Sequence, residues 1–329
     1  SGELLLLQFV FDTEDVNCFH PSVQKKYIYI KPISSSVSLR FYKPFYPSIF
    51  FYYYNYQTHD VDMGSFIGHI IPGLFFFFFG VWGLLDGFVT FYSSKYRRIS
   101  YKNRSTLQSI IIHSGCPWDA FLKVFAVVVG ILGEFITGFG PDEQFALHNA
   151  QHMTMFAFFG LHGLCEVLLF YKTSCLPSKS SYVLGIIAFI MEGVLFSWHL
   201  MGRTQLDIQV HSLLIYAVGA SILSTVFEMI FEKEFVFLVL RCSMIILQGT
   251  WFWQIGFILY SPFGTLWKQE GHQETLIVSM LFTWHVAGIV LGASILGLAS
   301  FTKVKARYKD SPSQDYSKVE SQSLLAEEA

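Results

Sequence analysis

The chain has 329 residues, of which 53% are hydrophobic and 14% charged, with a formal net charge of −2. Soluble domains carry roughly 25% charged residues, so this composition argues against an ordinary soluble domain and gives no support for a nucleic-acid partner. The five cysteines are scattered, with no CxxC pair, which points to neither a disulfide framework nor a thiolate zinc site.

Residues 1–62 differ from the rest, mixing SSSVS with aromatic runs such as FFYYYNY. They lack the charged start, apolar core and cleavage site of a signal peptide. They are read as an N-terminal extension outside the fold, natural or an artefact of the gene model, with Met63 as the natural start. From there seven apolar segments follow, at about 66–92, 118–138, 147–171, 182–201, 208–231, 235–260 and 276–301. Each is near the roughly 20 residues that cross a bilayer as a helix. The predicted fold is an all-α integral membrane protein, a bundle of seven transmembrane helices spanning 63–301. The tail, 302–329, is polar and predicted to be disordered.

Loop charge predicts the orientation. Lys95, Arg97, Arg98, Lys102 and Arg104 fill the first loop, Lys172 and Lys179 the third, Lys233 the fifth, and Lys303, Lys305, Arg307 and Lys309 begin the tail. By the positive-inside rule the C-terminus is cytosolic and Met63 lies on the opposite side. The sequon Asn103-Arg104-Ser105 then falls in a cytosolic loop and is expected to be unused.

Ionisable residues within membrane spans are costly and suggest a functional site by default. With the predicted topology they gather at one depth. His69, Glu134, His152, His199, His211 and Gln254 lie near the outer ends of their helices, with Glu192, His285 and Gln248 deeper. The inner half is nearly bare, Glu166 and Glu228 excepted. Asp207 and His211 share a helix face four residues apart, so Asp207 either caps the fifth helix or orients His211. His162 and Glu166 have the same spacing and suit a local pair; Arg241 is expected to snorkel or to pair with Glu228.

Imidazoles with a carboxylate are a common ligand set for zinc or another transition metal. His152, His199, His211, His285, Glu134 and Glu192 would form one if they converge, with His69, Gln248 and Gln254 in support. The same groups could hold haem, relay protons, or activate zinc-bound water in a membrane hydrolase. The alternative is an interhelical hydrogen-bond network without a cofactor. In the tail, Glu320 precedes Leu324-Leu325 by four residues, the acidic dileucine pattern that cytosolic sorting adaptors read.

Several stretches carry a family resemblance: MGSFIGHIIPG, GILGEF, AQHMTMFAFFG, MEGVLFSWH, LDIQVHSLL, LQGTWFWQIGFILYSPFG and FTWH. From Met63 onward the chain resembles the transmembrane protein 45 family, multi-pass proteins whose domain has no assigned function, as a divergent member. That resemblance implies Golgi, endosomal or lysosomal membranes and supplies no catalytic activity. The reading that follows is a trafficking or organising endomembrane protein, with the plasma membrane as an alternative location. A metal- or haem-binding redox or transport protein is the competing class.

Overall fold

The computed structural model describes residues 64–104, 116–139, 144–171, 176–177, 179–264 and 267–309. Seven α-helices account for nearly all of them: α1 (Phe66–Tyr96), α2 (Trp118–Thr137), α3 (Leu147–Phe170), α4 (Ser180–His199), α5 (Gln205–Ile230), α6 (Phe235–Leu259) and α7 (His272–Lys309). All seven are long and apolar enough to cross a bilayer, and the predicted seven-helix membrane bundle is the observed architecture. In hydrocarbon every backbone polar group must be satisfied internally, which a helix does within itself. Among the described residues the extended structure amounts to an isolated bridge between Phe139 and Phe145.

Local chemistry sets the helix ends. Ser65 caps α1 by accepting from Gly68 N at 3.0 Å, and Thr204 caps α5 by accepting from Asp207 N. The turn between α4 and α5 passes through Gly202 at φ 80°, a left-handed conformation that glycine adopts at little cost. The last helix runs eight residues beyond the expected end at Phe301, through the basic stretch to Lys309.

Neighbouring helices form a ring in the order α1–α6–α5–α4–α3–α2, with α7 packed outside against α1, α6 and α5. The ring is nearly open between α2 and α1, which touch only marginally. On the other side of α1 the packing is tight. Gly73, Gly80 and Gly87 recur every seven residues on α1 and meet α6. A Cβ on Gly73 would fall 2.8 Å from Gly249 O, and one on Gly249 2.7 Å from Gly73 O. Without a hydrophobic force between helices in lipid, small residues that admit close backbone approach are what hold such a seam. Trp253 reinforces it by donating from Nε1 to Ile70 O at 3.1 Å.

The two ends of the bundle are distinguished here by the Arg203 turn (α4–α5) and the Glu232 turn (α5–α6). Toward the Arg203 end the core gathers Phe196, Leu214, Trp251, Phe252 and Val278, with Trp251 donating to Val210 O at 2.8 Å. A smaller cluster of Leu84, Phe88, Leu238 and Ile246 lies toward the Glu232 end. Because backbone lies against Gly249, the Gly249→Ala protein should lose about 1–3 kcal/mol through overpacking, read as a lower unfolding temperature in detergent. Gly219→Ala, in open space, should change it little.

Candidate functional site

At the Arg203 end most of the expected polar residues are brought to one level and paired. Glu134 Oε1 lies 3.1 Å from His152 Nδ1, joining α2 to α3. Asn149 donates from Nδ2 to Glu134 Oε2 at 2.7 Å and to the Glu134 carbonyl at 3.0 Å. His199 Nδ1 stands 3.4 Å from Gln151 Oε1, joining α4 to α3. Arg203 donates to the His199 carbonyl at 2.9 Å, to Asp207 Oδ2 at 2.6 Å and to the Tyr260 hydroxyl at 3.3 Å; its other nitrogen meets His199 Nε2. His211 Nδ1 bonds to the Asp207 carbonyl at 3.0 Å and lies 2.7 Å from Asp207 Oδ1, while Thr204 takes the capping role. His69 bonds through Nδ1 to the Ser65 carbonyl at 2.8 Å and stacks on Tyr260 with ring centroids 5.0 Å apart. Further from this centre, His285 Nε2 faces Gln254 Oε1 at 3.3 Å, and Gln248 donates to Ser221 Oγ at 2.6 Å.

The expectation of a zinc, other transition-metal or haem site is corrected by this geometry. Among the described residues no group of three or more His, Cys, Asp or Glu side chains is placed to hold a metal ion. Ligands must meet about 2 Å from one point. Here Nδ1 of His152 faces Glu134, Nδ1 of His199 faces Gln151 and Nδ1 of His211 faces Asp207. Glu134 is taken up by Asn149 and His152. His285 sits outside the ring on α7, and Glu192 joins neither group. A shared depth put these residues in one layer, where His69, His211, His199 and His152 run ring to ring at centroid distances of 5.9, 6.2 and 5.4 Å without forming a metal-holding group among the described residues.

The Glu232 half of the bundle is richer than expected. Lys123 donates to Glu166 Oε2 at 2.6 Å, while His162 Nε2 lies 3.2 Å from Glu166 Oε1 and Ser181 donates to that oxygen at 3.1 Å. Glu166 is 0% exposed. Arg241 donates to both oxygens of Glu228, at 2.6 and 3.2 Å, and Tyr182 donates to Glu228 Oε1 at 2.9 Å. The His162–Glu166 and Arg241–Glu228 pairings were legible from spacing and chemistry. Lys123 was missed, although a lone ammonium within the apolar run WDAFLKVFAVVV is itself a signal that a carboxylate faces it.

Beyond the helix ends, Glu232 clasps Lys102 at 2.6 Å and Lys179 at 3.0 Å, tying three connections together. Asn103 is buried, donating from Nδ2 to the Glu234 carbonyl at 3.0 Å.

Between the two polar ends runs a cavity of about 180 Å3. Glu134 and His152 line one end, Lys123, Ser181, Tyr182 and Arg241 the other, with phenylalanines between them. Glu192 also lines it. That residue is 2% exposed and its Oε2 has no hydrogen-bond partner. A buried polar group left in this state costs about 1–3 kcal/mol; Asp207 Oδ1 and Gln248 Oε1 share that state, but of these residues Glu192 is the one that lines the cavity.

An integral membrane protein of seven helices, with charge pairs at both ends and fully buried carboxylates toward the Glu232 end, is thus the class that fold and polar groups define. Comparison with known proteins narrows it. Residues 178–296 match the model of a family of unknown function (DUF716). The chain is 30% identical over 261 residues to rat (Rattus norvegicus) transmembrane epididymal protein 1, covering 73% of this chain and 82% of that protein. It is 29% identical over 257 residues to transmembrane epididymal protein 1A of Mus musculus, with the same 73% and 82% coverage. The Homo sapiens transmembrane epididymal protein 1 matches at 30% identity over 161 residues, 46% of this chain and 56% of that protein. The chain belongs to the transmembrane epididymal protein family. Membership of the transmembrane protein 45 family, expected from short motifs, is corrected by these matches; such motifs are built from Gly, Phe, Leu and Trp, which membrane helices use widely.

Two outcomes follow from the geometry. Arg241→Leu should destabilise the protein by about 3–5 kcal/mol, since it leaves Glu228 buried without its cation, and the Arg241→Leu/Glu228→Leu double variant should recover most of the loss. Denaturation of the purified variants in mixed detergent measures both. At the clasp, hydrogen bonds from Lys102 and then Lys179 hold the Glu232 carboxyl below the usual carboxylate range. A depressed carboxyl adds stability above its unfolded value, lost as pH falls through the folded one. The clasp should therefore persist from neutral pH down into the ordinary carboxylate range and fail only as pH falls below it. Unfolding temperature against pH, compared with Glu232→Gln, reads this directly.

Proposed function

We propose that the protein is a trafficking or organising component of endomembranes, and that its layer of His, Glu and Gln residues is an interhelical lock. The observation that supports this best is the pairing itself: Glu134–His152 joins α2 to α3, Gln151–His199 joins α3 to α4, and Gln254–His285 joins α6 to α7. Hydrogen bonds of this kind between membrane helices contribute about 0.6 kcal/mol on average and up to about 1.7. Several around one ring fix helix rotation, which apolar packing against lipid-like neighbours specifies only loosely.

The trafficking side of the reading draws on the tail. Glu320, Leu324 and Leu325 lie outside the described residues, and their support is the sequence pattern together with the basic loops that put the C-terminus in the cytosol. Adaptor recognition there would direct the chain to Golgi, endosomal or lysosomal membranes. On the same reading, residues 1–62 stand outside the helical domain.

Two measurements test the reading. His152→Ala should lower stability by about 1 kcal/mol, and the effect should vanish in a Glu134→Ala background, since the coupling belongs to the pair. Leu324→Ala/Leu325→Ala in the full chain should move it from internal membranes to the cell surface while total amount and melting temperature are unchanged. An unmoved distribution overturns the sorting role.

A further inference from the structure

We propose that the cavity inside the helix ring is a binding site for a hydroxyl-bearing membrane lipid, whose hydroxyl donates to Glu192. This goes beyond the organising role and does not depend on it.

The cavity is lined by α1 to α6, with α7 outside. The polar groups that line its two ends are already engaged. Lys123 and Arg241 are held by Glu166 and Glu228, Ser181 and Tyr182 donate to those same carboxylates, and His152 faces Glu134. Both cations are thus neutralised, which leaves little to attract an anionic headgroup. Glu192 differs: it is buried, it lines the cavity, and Oε2 lacks a donor. A ligand that completes the site must bring one. A hydroxyl suits a carboxyl group in either protonation state, since it can donate to a carboxylate and both donate to and accept from the acid.

The space between Glu192 and the Lys123 network fixes the rest of the ligand. On α4 the wall from Glu192 to Ser181 is eleven residues long, about 16 Å at the helical rise. The neighbouring lining is Phe76 and Phe79 of α1, Ala126 and Val127 of α2, Phe159 of α3 and Phe189 of α4. Such walls suit hydrocarbon; they do not suit a file of water relaying protons. A volume of about 180 Å3 is only a little above the roughly 150 Å3 that takes up one benzene ring. It therefore admits the hydroxyl end and first ring or methylenes of a lipid rather than the whole molecule. The remainder has a way out, because α1 and α2 scarcely touch and the ring opens there toward the bilayer.

The test is photolabelling of the full chain in nanodiscs with a diazirine sterol carrying a free hydroxyl, its O-methyl ether, a diazirine long-chain alcohol and the matching long-chain amine. The expected result is labelling of α3 and α4 peptides by the sterol or by the alcohol. Whichever labels identifies the source of the hydroxyl. The methyl ether should label about fivefold less, the worth of one hydrogen bond of about 1 kcal/mol. Glu192→Leu should lose the labelling, and Glu192→Gln, whose amide oxygen still accepts, should keep it. Ala126→Phe, which fills the cavity and leaves Glu192 intact, should block it at an unchanged melting temperature. Equal labelling by alcohol and ether, labelling that survives both Glu192→Leu and Ala126→Phe, or label confined to α7 overturns the site. Stronger labelling by the amine overturns the hydroxyl assignment.

Discussion

The close approach of α1 and α6 governs how the other helices can be arranged. Gly73 and Gly249 each leave room for the other's carbonyl, and the seam continues through Gly80 and Gly87 against Ile246 and Leu238. Dispersion between two backbones at this range is the main attraction available to helices already immersed in hydrocarbon. With α1 seated on α6 and α7, its contact with α2 is marginal. The chain then closes the other way, through α5, α4 and α3, and the gap falls between the first two helices. The ring and its opening are both consequences of where small residues were placed.

Polar side chains then finish what packing leaves undetermined. At the Arg203 end the pairings are mostly single bonds across adjacent helices, with Arg203 itself gathering the His199 carbonyl, Asp207 and Tyr260. At the Glu232 end they are charged: two carboxylates at 0% exposure, each held by a cation and a hydroxyl donor. A buried ion pair is weak evidence for net stability, because desolvation offsets much of the attraction. Its effect is on specificity: an unpaired Glu166 or Glu228 would penalise any rotation of α3 or α5 that lost the partner. Rotational alternatives are thus penalised at both ends of a bundle whose outer surface carries many exposed apolar side chains.

The helices were readable from sequence because a continuous apolar run must span the bilayer, and their ends fell within a few residues of the expected positions except at α7, which continues eight residues further. The level of His69, Glu134, His152, His199 and His211 was readable too, since depth follows from counting residues at a fixed rise. Azimuth was not. Whether two residues at one depth meet depends on how each helix is turned, which is set by contacts such as Gly249 on Gly73 that lie 176 residues apart. A ligand set inferred from depth alone therefore became a set of separate pairs. The same limit hid Lys123 and Glu166 from one another, although the seven-residue recurrence of Gly73, Gly80 and Gly87 was present in the sequence as a sign of which face of α1 packs.

The α1–α6 seam also has a meaning in time. At about 5–20 residues per second, the 176 residues between Gly73 and Gly249 take about 10–35 s to synthesise. Throughout that interval α1 sits in the bilayer without the helix it is built to fit, and α2, its neighbour in the chain, offers almost no surface to it. Its glycine face and the Pro72 turn are exposed to lipid or to whatever guards nascent membrane segments. Final docking of α1 waits on α6, while α2 to α5 can pack on one another as they emerge, and a delay before α6 prolongs the time α1 spends alone.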